Sequence, residues 1–313
     1  MIRFVRRPAA LLTAAFACAA VAGGLGAQDL PTVRVITPPI DAGAQAFFAR
    51  EMGFYKKAGL NVEVATANSG AAVAAAVAGG AADVGQSNVV SIASAHERGL
   101  PFVFIAAASL FDSRQHQNAV VVTPNSPIRT VQDLRGKTIA VSGLKNITEI
   151  GVDAWLDANG IAPSSIKAVE MPFATMAEAV ASGRIDAADM TFPELSDALA
   201  KKQVRVVAYP LEALGKEWLL SGWFTTAAWA KAHPELVRAY VRAMTETADW
   251  ANRNHDLSAK ILERVTGIPV NPTSPRVPYA RVLDPQAMQP VIDASAKYGA
   301  LKATFPAADL VYH

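Results

Sequence analysis

The chain repeats one pattern of apolar and polar positions. Val33-Arg34-Val35-Ile36 is a short apolar run with strand character. A helical pattern follows over 44–52 and stops at Gly53, and a second apolar run occupies 61–65. Thr138-Ile139-Ala140-Val141 opens the same series again, with a helical pattern over 148–159, a stop at Gly160 and an apolar run at 168–171. Each series then ends in a closely similar decapeptide. Residues 76–85 read AVAGGAADVG and residues 179–188 read AVASGRIDAA. In both, an amphipathic helix ends at a glycine, Gly80 or Gly183, and an aspartate three residues later opens a short apolar strand. Glycine just past a helix is the usual left-handed stop. Alanine-rich composition alone explains the matching alanines but not a Gly-x-x-Asp in register at both sites. Strand, helix, strand, helix, strand in each half predicts two α/β lobes with mostly parallel sheets covered by helices.

The rest of the chain divides accordingly. Helices are predicted at about 234–252 and 257–265, while 268–285 holds five prolines and should be extended or irregular. The first residues read as an export leader. Arg3, Arg6 and Arg7 form a basic start, 9–22 is apolar, and Gly23 to Ala27 are mostly small, which places cleavage near Ala27–Gln28. A membrane anchor fits less well, because the run breaks into glycine before the ~20 residues a span requires. The mature chain is therefore expected to be soluble and periplasmic.

Charge changes with the leader. The full chain has 29 basic and 27 acidic residues; the three leader arginines removed, acids exceed bases by one. That balance argues against a nucleic-acid partner, which needs a basic surface. The only cysteine, Cys18, lies in the leader, so the mature chain has no thiol chemistry or disulfide. Ala15-Phe16-Ala17-Cys18 lacks the large aliphatic residue expected three positions before a lipidated cysteine. The chain beyond the leader is long for one core and comfortable for two.

Four stretches resemble the periplasmic binding proteins of importers for nitrate, taurine, alkanesulfonates and thiamin-pyrimidine precursors. They are residues 48–64 (FAREMGFYKKAGLNVEV), Gly80 to Gly85, residues 128–143 (IRTVQDLRGKTIAVSG) and Gly183 to Ala188. Each motif is weak alone; their order and spacing are more specific. The resemblance implies a two-lobed, type II-like periplasmic binding protein fold with two hinge crossings. Lobe 1 would hold 28–118 and 222–313, lobe 2 would hold 119–221, and the crossings would fall near 111–120 and 209–223. It also implies a small-molecule ligand, a membrane permease and an ATPase as partners, a monomer, and no cofactor or metal.

Ligands of open α/β sheets bind beyond the carboxyl ends of the strands. In the first half these loops offer Pro39, Asp41, Ser87 and Asn88; in the second they offer Asn146, Thr148, Phe192 and Glu194. Ser87 and Asn88 could equally be helix caps, and Glu194 could simply face a helix dipole. Phe111 and Trp223 lie where the resemblance places pocket walls, although packing at the hinge explains them as well. Lys145, Arg114 and His116 read as solvated. No catalytic pattern is present: Gly85-Gln86-Ser87-Asn88-Val89 lacks the final glycine of a nucleophile elbow, there is no His-Glu-x-x-His, and the five histidines lack metal-ligand spacing. The reading is a carrier that binds a small organic molecule with one polar or anionic end. A pyrimidine, an aromatic compound and an inorganic anion are the other ligands considered. A periplasmic enzyme and a binding protein that signals to a receptor are the competing classes.

Overall fold

The structure is a computed structural model that describes Met1, residues 30–271 and residues 273–313. The expected leader and its cleavage point lie outside the described residues. The first half runs β1 (Thr32–Thr37), α1 (Gln45–Glu51), α2 (Phe54–Lys57), β2 (Asn61–Thr66), α3 (Gly70–Ala78), β3 (Val84–Asn88), α4 (Val89–Glu97) and β4 (Phe102–Ala107). A short strand, β5 (Leu110–Asp112), leads across. The second half runs β6 (Asn118–Val122), β7 (Thr138–Val141), α5 (Ile147–Ala158), β8 (Lys167–Glu170), α6 (Phe173–Ala181), β9 (Ala187–Thr191), α7 (Glu194–Ala200) and β10 (Arg205–Ala208). The chain returns through β11 (Glu217–Leu219) into β12 (Ser221–Thr226), then α8 (Ala227–Ala232), α9 (Pro234–Ala251), α10 (His255–Thr266) and α11 (Pro285–Lys297).

The two five-stranded sheets have matching orders. The first is β2-β1-β3-β12-β4; the second, read from its other edge, is β8-β7-β9-β6-β10. In each, the pairs around β1 or β7 are parallel, and one strand from a crossing, β12 or β6, inserts antiparallel. These inserted strands were not foreseen from sequence.

The repeated Gly-x-x-Asp does the same job twice. Gly80 and Gly183 adopt φ of 71° and 72°, the left-handed stop. The aspartate carboxylates then reach the first strand of their own sheet: Asp83 Oδ2 accepts from Arg34 N at 2.8 Å, and Asp186 Oδ2 accepts from Thr138 N at 2.8 Å. The aspartate amides close the pairing in return, from Asp83 N to Arg34 O and from Asp186 N to Thr138 O. The motif therefore sets the register between β1 and β3 in one sheet and between β7 and β9 in the other.

Both sheets are buried on two faces. Val33, Val35, Trp223 and Tyr240 fill one side of the first sheet, and Val73, Ile92, Phe102 and Phe224 the other. In the second sheet, Ala119, Met176 and Met190 face one layer and Val120, Ile139 and Leu156 the other. The strands that cross between the sheets pair with each other: β5 and β11 form a two-stranded antiparallel ribbon in which Leu110 faces Leu219. The proline-rich stretch is irregular, as expected. The helix α11 beyond it, with Pro290 inside, was not.

Candidate functional site

The carboxyl ends of β1, β2 and β3 face those of β7 and β9 across a cavity of about 140 Å³, many times the ~15 Å³ that one water requires. Pro39, Asn68, Ser69, Gln86, Ser87 and Asn88 line it from the first half. Gln117, Asn118, Asn146, Thr148, Phe173, Thr191 and Glu194 line it from the second. Six of the residues singled out in the sequence thus meet here: Pro39, Ser87, Asn88, Asn146, Thr148 and Glu194.

Each is held by local structure. Asn88 caps α4, its Oδ1 accepting from Ser91 N at 2.9 Å, while its Nδ2 donates across the cleft to Asn146 Oδ1 at 3.3 Å. One side chain therefore caps a helix and bridges the halves. Asn146 precedes α5 without capping it. Thr148 Oγ1 instead accepts from Ser142 N at 3.1 Å, pinning the loop before the helix. Ser87 is buried and its hydroxyl has no partner. Gly70, opening α3, lets this wall close: a Cβ there would lie 2.5 Å from Ser87 Oγ.

Glu194, at the start of α7, points a carboxyl oxygen without a partner into partly buried space. Burial, with Asp197 adding to it, pushes this carboxyl up to about 7. Asp189 lies deeper on β9, fully buried, with neither oxygen in hydrogen-bonding geometry. Burial pushes it up to about 8, and the neighbouring Asn118 amide offsets only part of that.

The other four singled-out residues stand outside the cavity. Asp41 is buried in an ion pair with Arg276, whose Nη2 lies 2.6 Å from Oδ1. Val277 N at 2.8 Å and the Tyr279 hydroxyl complete its shell, so its oxygens are taken. A buried carboxylate needs such partners, and Asp41 finds them behind the loop, away from the cleft. Phe111 stacks on Trp218 at 4.9 Å inside the crossing ribbon. Trp223 is wholly buried and donates to Gln45 Oε1 at 2.8 Å. Phe192 packs into the first half's core under the Arg276 guanidinium, 5.7 Å from the ring centroid. Lys145 borders a neighbouring depression, not this cavity.

Sequence reasoning missed Asn68, Ser69, Gln117, Asn118 and Phe173. Asn68 and Ser69 follow β2 and obey the same carboxyl-end rule as the loops that were chosen. Gln117 precedes β6 and Asn118 opens it; the antiparallel insertion of this strand brings its amino end to the cleft, and no rule about carboxyl ends reaches them. Among the described residues, no group of acids, histidines or cysteines could hold a metal ion, and no helix is long and apolar enough to cross a membrane.

Two matched α/β halves with a cleft of mixed polar and apolar lining between their sheets define a protein of the periplasmic-binding-protein fold. The chain belongs to the NMT1/THI5-like family, which it matches over residues 43–256. Similar solved structures include the alkanesulfonate-binding protein SsuA from Xanthomonas axonopodis pv. citri bound to MOPS. It is 19% identical with a TM-score of 0.76, over 91% of this chain and 99% of that one. The periplasmic aliphatic sulphonate binding protein SsuA of Escherichia coli is 17% identical with a TM-score of 0.74, over 90% and 97%. The periplasmic nitrate-binding protein NrtA from Synechocystis PCC 6803 is 15% identical with a TM-score of 0.72, over 89% and 84%. No curated protein matches the chain by sequence.

Proposed function

We propose that the chain is the extracytoplasmic solute-binding component of an ABC importer. It would bind a small polar organic molecule between lobe 1 (residues 28–118 and 222–313) and lobe 2 (119–221), then deliver it to a membrane permease driven by an ATPase. The observation that carries the reading is the cleft itself: one cavity lined from both sheets by partnerless polar atoms, with only two strands joining the halves. A ligand touching both walls gains contacts only when the walls approach, so binding shifts the population towards closure. The sulfonate and nitrate binding proteins that share the fold support the carrier role and a periplasmic location after leader removal. Binding without turnover is the natural use of this cleft, because it holds no nucleophile–base pair and no metal-ligand cluster among the described residues.

Small-angle scattering of the purified mature chain, with and without ligands found by a thermal-shift screen, tests this. The radius of gyration should fall at saturation, and mass spectrometry should find the ligand unchanged and bound one to one. A constant radius, or a converted compound, would overturn the carrier reading.

A further inference from the structure

One wall of the cavity has a bias in its hydrogen bonding. Gln86 lines it, but its Nε2 already donates to Ala42 O at 3.0 Å and to Ser221 Oγ at 2.7 Å, which leaves only the amide oxygen. Gln117 directs Nε2 at Leu110 O, 3.5 Å away, and its buried Oε1 has no partner. The Thr191 hydroxyl donates to Gln117 O at 3.2 Å, so it too retains only lone pairs. Asn118 Oδ1 and Glu194 Oε2 are buried and without partners. Gln86, Gln117 and Thr191 thus arrive with their donors engaged, and Asn118 and Glu194 add oxygens that no protein donor fills. Buried acceptors left unmatched are costly, so a native site with several of them calls for a ligand that fills them.

The electrostatics point the same way. Among the described residues, no lysine, arginine or histidine lines the cavity, and Glu194 is the one ionisable side chain that does. The buried Arg276 is already held by Asp41. The helix starts that border the cavity are partly closed: Ser69 caps α3 and Asn88 caps α4 with their own side chains. α5 and α6, whose first residues Ile147 and Phe173 line the cavity, keep first turns without a side-chain cap. A helix end acts as a fraction of a charge. Such ends suit an acceptor oxygen at the far end of the ligand, but they supply no full cation to set against Glu194, which is ionised above its value of about 7 and then faces any anion.

We propose that the cleft selects its ligand through hydrogen-bond donors on the ligand. These are amine, amidine or ring N–H groups of a neutral or cationic molecule, received by Gln117, Asn118 and Glu194. The assignment rests on the solute-binding reading and narrows it. Anions without an N–H donor would meet Glu194 with no compensating cation.

Calorimetric titration with benzamidine, benzamide, benzoate, benzenesulfonate and nitrate decides the matter. Benzamidine and benzamide should bind at least about tenfold more tightly than benzoate and benzenesulfonate, as a site built of acceptors rejects analogues without donors. Glu194→Gln should weaken benzamidine about tenfold and benzamide less, since it removes a charge-assisted bond. Gln117→Leu, which removes an acceptor without touching charge, should weaken both probes to a similar degree. Tighter binding of benzoate, benzenesulfonate or nitrate than of benzamidine would overturn the donor assignment and leave the carrier role intact. Binding of none of the five would also overturn it; the carrier role would then stand or fall on the scattering experiment.

Discussion

At the scale of single residues, Asp189 is the most exposed to test. Its folded-state value of about 8 lies well above that of an ordinary carboxyl. Between those two values the native state holds a proton the unfolded chain releases, so stability falls as pH rises through that window. Asp189→Asn removes this titration. Calorimetry should find the variant's Tm raised by about 3 °C or more at pH ~8.5, with little change at pH ~3, below both values. An equal shift at both pH values would refute the buried-acid account. The two cleft asparagines should separate in a similar way. Asn88→Ala loses the cap on α4, which should lower stability by about 1 kcal/mol as well as weaken binding. Asn146→Ala should weaken binding with stability nearly unchanged, because its side chain caps nothing. Chemical denaturation alongside titration reads both. Six of the ten residues singled out in the sequence line the cavity, because position after a strand is a local property. Asp41 was misread because its partner Arg276 lies 235 residues further along the chain. Phe111, Phe192 and Trp223 were misread because sequence places a ring in a loop or crossing without saying which way it turns.

At the scale of elements, the Gly-x-x-Asp repeat was the clearest signal in the chain, and its geometry explains why both copies keep the same residue types. Asp83 and Asp186 each hold a neighbouring strand by its backbone N–H. Asp83 also takes two bonds from the Arg34 guanidinium, whereas Asp186 has only a 3.4 Å contact with Lys137. Asp83→Ala should therefore lower the unfolding free energy more than Asp186→Ala, by about 1–2 kcal/mol for the former. Urea denaturation of the two variants ranks them, and the reverse order would refute the strand-bridging role. The repeat did not reveal β12 and β6, since an inserted antiparallel strand belongs to a crossing and has no counterpart within its own half's series. It did not reveal α11 either: Pro290 inside a helical pattern reads as a break, yet the helix accommodates it.

At the scale of the whole molecule, the two-lobed plan was readable from duplication alone, but the contacts between halves were not. Asp157 on α5 meets Lys297 Nζ at 2.7 Å and the Tyr298 hydroxyl at 2.9 Å at the end of α11. These groups are solvent-exposed, so the contact contributes little to holding the fold, and under the proposed closure it would act as a weak latch between the halves. Asp157→Ala should shift the open-to-closed ratio by about threefold, seen as a larger mean radius in scattering, while Tm stays nearly constant. An unchanged radius would show the latch idle. The crossing ribbon carries one more consequence. Its rungs place Leu110 opposite Leu219, which in an antiparallel pair means backbones only about 5 Å apart. Everything between those two positions is thus a cassette plugged into a host through adjacent sockets. A tight Asn-Gly hairpin could seal the host after excision, and a foreign cassette could be spliced in at the same two points to mix one parent's wall with another's.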